Sequence, residues 1–425
     1  MRPCGRRDTR QRWCIASRDS RNGVLEAGKA KMKSVLFYCD AADFGGHEAM
    51  TLEAVRCLCQ RGDSSVSAIF YEGNQRFRGA LADIADSTGN LSLVPLKFKT
   101  KGLQAFRSLI SVRKIHDLKS VMKRINPHVV VVSQGRIEGG SMGLLAAKRA
   151  GLRTVSYIPM AHRVSVSGTP VALRLREMVN AYLYRLPDKF ITISESARGM
   201  LLDRGATRNV VVVPNGIKVR PVAESDREDF RGKHGIKTGE CVVGVVGRID
   251  FRQKCQDFAL EAFSRFRDHI DGYRLVFIGE GPDEQKLKEM IVNGNLSQTM
   301  QVLPWRRNPE KIYAGLDMLL IPSRFEGVPL VMLEAMSYQV PIVASNSDGM
   351  AELLPQKWLF PFGDHQALVD RLVAVRNADN SRLLEFHRTQ IMEEFTTAKF
   401  CANMSAAILE EAPAQSEVSG NNESS

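Results

Sequence analysis

The chain has 425 residues, of which 44% are hydrophobic and 25% charged, and a formal net charge of +12. That length suits two domains of roughly 200 residues each, and the composition is that of a globular protein, with no uncharged apolar run near the roughly 18 residues a membrane span needs. The charge excess suggests an acidic partner, yet residues 1–31 hold nine Lys/Arg against Asp8, Asp19 and Glu26, so half of it lies in a tail.

That tail has no apolar stretch behind its charges and no periodicity that would bury a face, so it does not read as a secretory signal. Residues 1–31 read as a disordered basic extension, or as an over-long start with Met32 as the initiator. Met32-Lys33-Ser34 leads directly into an apolar run, Val35-Leu36-Phe37-Tyr38-Cys39.

From there β-branched runs alternate with helical patterns, the signature of parallel sheets with crossover helices. The first series of predicted strands is Ser34–Tyr38, Val66–Tyr71, Val129–Ser133, Thr154–Tyr157, Lys189–Ile193 and Val210–Val213. The second is Val242–Val246, Arg274–Ile278, Met300–Leu303, Met318–Ile321 and Pro341–Ala344. Pro214 to Glu240 mixes Pro, Gly and charges and separates the two.

The predicted fold is therefore α/β, with two facing doubly wound, Rossmann-like parallel-sheet domains, residues 32–216 and 217–392. A C-terminal helix over 393–411 is predicted to pack back on the first domain, and 412–425 to be a disordered tail. Ligands of such sheets bind beyond the carboxyl ends of the strands, which puts the reaction in the cleft between the domains. Eight scattered cysteines without C-x-x-C spacing read as reduced thiols of a cytosolic protein.

The strongest chemical signal runs from Pro322 to Met336. A strand ends, a turn carries Glu326 and Gly327, and Pro329 opens a helix where its missing N–H costs nothing. The amides of Val328 and Leu330, with Gly327 before them, suit a diphosphate at the helix N-terminus. Glu334 lies about one turn further in. A carboxylate that accepts two hydroxyl hydrogen bonds reads a vicinal diol, so Glu334 fits a ribose and Glu326 a transferred sugar. An isolated acid pair would more often be a solvated helix charge and a cap; the surrounding string reverses that balance.

Next, Val243-Gly244-Val245-Val246-Gly247-Arg248 runs from a strand into a glycine turn, with Lys254 six residues on. Arg248 and Lys254 suit two phosphates and a departing diphosphate. Gly279-Glu280-Gly281-Pro282 ends another strand; alone it is weak, since the third glycine of a dinucleotide fingerprint is missing. In the first half, Gly45-Gly46-His47-Glu48 opens a helix and either lines the acceptor side or is an ordinary strand-to-helix turn. His162 also follows a strand; alone it would read as structural.

Together these residues resemble the group 1 (family 4) retaining glycosyltransferases of the GT-B fold, over Met32 to about Glu410. The resemblance rests on Gly45-Gly46-His47-Glu48, His162, Ile191-Thr192-Ile193-Ser194-Glu195, Val213-Pro214-Asn215-Gly216-Ile217, Gly247-Arg248 with Lys254, Gly279-Glu280-Gly281-Pro282, and Glu326 with Glu334. It implies that Arg248 and Lys254 bind the donor diphosphate, Glu326 the sugar hydroxyls and Glu334 the ribose. It also implies that His162 touches the transferred sugar, and that Gly45 and Gly46 lie near the phosphates and acceptor.

Retention without a protein base, no metal and no cofactor follow from the same resemblance, and no D-x-D occurs in the chain. Departures from the family pattern are Cys255, Gln339 and Pro304-Trp305, where glycines usually stand. The implied function is transfer of a sugar from a nucleotide sugar to a saccharide or lipid-linked saccharide, in cell-surface polysaccharide or lipopolysaccharide synthesis. A nucleotide-sugar epimerase and a non-catalytic nucleotide-sugar-binding scaffold are the alternatives.

Residues 97–124 carry nine Lys/Arg and only Asp117 as an acid, interleaved with Phe98, Leu103, Phe106, Leu109, Ile110, Ile115, Leu118 and Met122. This reads either as a helix packed on the core with a solvated face, or as peripheral contact with the anionic inner face of the membrane. Nucleic acid is not an expected partner, because the basic residues come without a recognisable module.

Overall fold

A computed structural model describes residues 32–99, 104–161, 170–206, 209–305 and 308–410. The first sheet contains β1 (Lys33–Cys39), β2 (Ser64–Tyr71), β3 (Leu91–Leu96), β4 (Val129–Ser133), β5 (Thr154–Tyr157), β6 (Lys189–Thr192) and β7 (Val210–Val212), in the order β3-β2-β1-β4-β5-β6-β7. The second contains β8 (Cys241–Val246), β9 (Tyr273–Ile278), β10 (Met300–Leu303), β11 (Met318–Ile321), β12 (Ile342–Ser345) and β13 (Leu359–Phe360), in the order β10-β9-β8-β11-β12-β13. All pairings are parallel.

Helices cover both faces of each sheet, which is why the central strands are continuous apolar runs rather than alternating ones. In β4 and in β8 every residue is buried. The strand order reverses between β1 and β4 and again between β8 and β11, and a crevice at the carboxyl ends of the strands follows at each reversal.

Two strands escape the sequence pattern. β3 contains Pro95, which a ladder tolerates because β3 is an edge strand. β13 has only two residues, too few for a period to show.

The chain crosses between the sheets twice, side by side. Ile217 donates its N–H to the Phe395 carbonyl at 2.8 Å, and Thr397 returns one to the Ile217 carbonyl at 3.1 Å. Thr396 then caps the Thr397–Leu409 helix, accepting from the Lys399 N–H. This helix lies against the Gly46–Arg61 helix and buries Phe400, Met404 and Ile408. Its end is held by the first sheet, where Lys33 and Lys189 each donate to one of its last carbonyls at 2.9 Å.

Here one sequence expectation fails. Cys57 and Cys401 form a disulfide between these two helices, their Cα atoms 5.4 Å apart, so these thiols are not reduced in this structure. The partners lie 344 residues apart, and their proximity is a product of the return crossing that no local spacing reveals. Cys39, Cys59, Cys241 and Cys255 are buried free thiols.

The basic Val112–Ile125 helix turns Ile115, Leu118 and Met122 into the core and exposes Arg113, Lys114, Lys123 and Arg124. Its apolar face is thus packed against the first domain. Among the described residues no helix is long and apolar enough to cross a membrane. Residues 1–31 and 412–425, for which disorder is expected, lie outside the described residues.

Candidate active site

The carboxyl end of β11 delivers the main constellation. After Ile321 the chain turns through Ser323 to Gly327, and the Leu330–Ser337 helix begins one residue later than its sequence suggests, with Pro329 as N-cap at φ −69° and ψ 139°. The helix interior is almost wholly apolar, Met332, Leu333, Ala335 and Met336 facing the core, so its position is set by packing and its amide end is fixed.

Glu326 is only 5% exposed. A buried carboxylate needs a partner, and Lys254, from the loop after β8, is ion-paired to its Oε1. The Gln253 carbonyl accepts the Arg324 N–H at 2.8 Å, tying the two loops together. Arg248 holds Asp250 at 2.7 Å, while Gln256 braces the same turn by donating to the Arg248 carbonyl at 2.9 Å. Sequence reasoning missed Gln256, whose role arises only when the turn folds back on it.

The Gly279–Gly281 loop packs directly on this turn. A Cβ on Gly279 would sit 1.8 Å from the Gly247 carbonyl oxygen, and one on Gly281 2.1 Å from that of Ile249. Both glycines therefore permit backbone-on-backbone contact; Gly247 itself has φ +138°, where only glycine is unstrained.

The first domain comes up to these loops. A Cβ on Gly327 would meet Ile193 Cδ1 at 2.9 Å and the Pro159 carbonyl at 3.3 Å, and one on Gly46 would meet Leu330 Cδ1 at 3.6 Å. Asn215 donates to the Val328 carbonyl at 3.0 Å. Gly45 and Gly46 are thus brought to the amide end of the Leu330–Ser337 helix. Glu48 accepts from the Gly45 N–H at 2.9 Å; burial pushes its carboxyl up, while that bond and Arg248 across the cleft act in the opposite sense.

His47 packs against the carboxyl ends of β4 and β5. Its Nε2 is 2.8 Å from Ser133 Oγ and its ring lies 4.9 Å from that of Tyr157. Burial holds it down to about 3, so it is a neutral imidazole. His162 lies outside the described residues.

A further cation joins the cleft without any motif to announce it. Arg136, after β4, is exposed; desolvation and the guanidinium of Arg252 draw it below its ordinary value, the Glu138 carboxylate acts in the opposite sense, and Arg176 and Arg248 add smaller effects.

Glu334 is half-buried behind the helix start, and burial pushes its carboxyl up to about 7. The Tyr313 hydroxyl donates to its Oε2 at 2.7 Å.

A cavity of about 500 Å³ opens at the opposite ends of the strands, against Cys241, Met318 and Pro341. Its Arg227 and Arg231 are both held by Asp317, at 2.5 and 3.0 Å, so part of their charge is offset within the protein.

Residues 45–216 match the family described as "Glycosyl transferase 4-like domain", and residues 240–377 the family "Glycosyl transferases group 1". The UDP-Gal:alpha-D-GlcNAc-diphosphoundecaprenol alpha-1,3-galactosyltransferase of Escherichia coli is 23% identical over 333 residues, 76% of this chain and 84% of the relative. The amylovoran biosynthesis glycosyltransferase AmsD of Erwinia amylovora is 23% identical over 256 residues, 58% of this chain and 67% of its own length. Anabaena Alr3699/HepE, solved in complex with UDP, superposes with a TM-score of 0.71 over 89% of this chain and all of that one, at 15% identity.

Proposed function

We propose that this chain, which belongs to the group 1 glycosyltransferases and has their GT-B fold, moves a sugar from a nucleoside-diphosphate sugar to a saccharide or lipid-linked saccharide with retention of configuration. The proposed pathway is synthesis of a cell-surface polysaccharide or lipopolysaccharide; the amylovoran biosynthesis of one relative and the diphosphoundecaprenol-linked acceptor of another support it. The observation that carries this reading is the pairing of Lys254 with Glu326 beside Arg248, at a helix amide end that faces Gly46.

In this reading the diphosphate lies between Arg248, Lys254 and the amides of Val328 and Leu330, with Gly247 and Gly281 shaping the loops behind it. Lys254 turns from Glu326 to phosphate, and Glu326 turns to the sugar hydroxyls. His162 touches the sugar from the first domain. The Gly45-Gly46-His47-Glu48 loop borders the phosphates and the acceptor.

Transfer follows a front-face path. The bond from the anomeric carbon to phosphate breaks, the acceptor oxygen bonds on the same face, and its proton passes to the departing phosphate oxygen. Arg248 and Lys254 offset the charge that develops there. These two cations do the neutralising work of a divalent ion, so we propose metal-independent transfer without a cofactor.

The lipid of the acceptor would bring a cytoplasmic enzyme to the inner face of the membrane through region 97–124. The Val112–Ile125 helix has its apolar face in the core, so the contact falls to Leu109, Ile110 and Val112, which are exposed beside Arg107, Arg113 and Lys114. Co-sedimentation with anionic vesicles at low and high salt tests it, and no binding at either would remove the membrane contact.

The test of the main reading is a thermal-shift panel of UDP, GDP, ADP, CMP and dTDP, with magnesium and with chelator, on wild type and Glu334→Ala. A metal-independent shift for one nucleotide, lost in the variant, supports the donor site. Turnover of the sugar nucleotide without an acceptor would point to the epimerase instead, and binding without turnover across an acceptor set to a scaffold.

A further inference from the structure

Behind Glu334 stands an aromatic pair that the motifs do not mention. Tyr313, in the Pro309–Gly315 helix, is 1% exposed, and its hydroxyl lies 2.7 Å from Glu334 Oε2 and 3.2 Å from the Val331 carbonyl. A phenol has one proton to give, and an ionised carboxylate is the stronger acceptor, so the O–H goes to Glu334.

The ring has no freedom to swing away. It stacks on Tyr338 with centroids 5.5 Å apart and planes 17° off parallel. The Tyr338 hydroxyl in turn accepts the Arg220 N–H at 3.3 Å, in the segment that joins the two sheets. The charged groups around the pair are Glu334 itself, Glu310 in the first turn of the Pro309–Gly315 helix, and Arg220, which approaches Glu310 at 3.6 Å. Of the two oxygens of Glu334, it is Oε2 that Tyr313 holds.

We propose that Tyr313 is a positioning residue of the donor site: it pins one oxygen of Glu334, fixes the carboxylate plane, and so presents the other oxygen to the vicinal hydroxyls of a nucleoside ribose. This rests on the reading of Glu334 as the ribose ligand. A carboxylate free to rotate would lose entropy on every binding event, whereas a pinned one is ordered in advance. Tyr313 touches no reacting atom, so its effect falls on donor binding rather than on the chemical step.

The test uses Tyr313→Phe, which keeps the ring and its stack and removes only the hydroxyl. UDP, GDP and ADP, each beside its 2′-deoxy counterpart, are titrated into wild type, Tyr313→Phe and Glu334→Ala. We expect the variant to bind the preferred ribonucleotide about tenfold more weakly, in line with one charge-assisted hydrogen bond, and the 2′-deoxy nucleotide nearly as well as wild type does. With the cognate sugar donor, KM should rise by a similar factor while kcat stays within about twofold.

A merely structural role would weaken both nucleotides alike, and that result overturns the proposal. If Glu334→Ala abolishes the preference for ribose while Tyr313→Phe matches wild type, Tyr313 alone is wrongly assigned. If Glu334→Ala keeps the preference, or no diphosphate binds wild type, the underlying reading of Glu334 falls with it.

Discussion

The ammonium of Lys254 and the carboxylate of Glu326 are joined across the two loops that leave β8 and β11, and this contact organises both. Glu326 is almost fully buried while Lys254 keeps a fifth of its side chain in solvent. Removing one partner strands a charge in low dielectric, at a cost near 2–3 kcal/mol for a pair of this partial exposure. Lys254→Ala should therefore lose transfer by at least about 100-fold and also melt earlier. Combining it with Glu326→Ala should restore much of the melting temperature and none of the activity. Wild-type turnover in Lys254→Ala would sink the site.

Glu334 carries a pH signature of its own. Burial lifts its carboxyl from an ordinary value of 4.5 to about 7, with the Tyr313 hydrogen bond acting in the opposite direction. The folded chain therefore holds a proton between those values that the unfolded chain releases, so this group's contribution to stability falls as pH rises from 4.5 through 7. Glu334→Gln should raise the melting temperature above pH 7 and leave it nearly unchanged near pH 5, as calorimetry at the two pH values would show. Donor affinity of the wild type should move the other way, improving as pH rises through about 7 because the ionised form accepts from the diol.

Gln339 occupies a left-handed turn at φ +56°, and Cys255 another at φ +52°. Both stand where glycine is usual in the family, and an L side chain there costs roughly 1 kcal/mol. Gln339 recovers part of this through exposed bonds to Glu385 and Arg388. Gln339→Gly should nonetheless stabilise the protein by about 0.5–1 kcal/mol in a denaturant titration. A lower midpoint would show that the surface bonds outweigh the backbone strain.

The Cys57–Cys401 bond closes a loop of 344 residues, and loop entropy alone sets its contribution at up to about 5 kcal/mol. Thermal unfolding with and without reductant should separate the two states by several degrees. Cys401→Ser should match the reduced wild type and respond to reductant no further. Identical melting curves for wild type in both conditions would mean that the bond does not form in solution.

Much of this is legible in the sequence. Valine runs such as Val129–Val132 have only one comfortable place, the centre of a parallel sheet, and the E-x7-E string names its own helix end. Gly279 and Gly281 stand out in sequence only as the turn that ends a strand, and in space they let one backbone lie on another. Tyr313 and Gln256 carried no signal, since each matters through a partner supplied by a different element. The disulfide was illegible for the same reason on a larger scale, because its two halves meet only through the return of the last helix.

That return has a consequence for the order in which the molecule is made. Phe400, Met404 and Ile408 fill space beside the Gly46–Arg61 helix, so during synthesis the first domain lacks part of its own interior until the Thr397–Leu409 helix has been made. The later domain can close on itself sooner. A nascent first domain must therefore wait, with an apolar groove uncovered, for a helix encoded some 340 residues downstream.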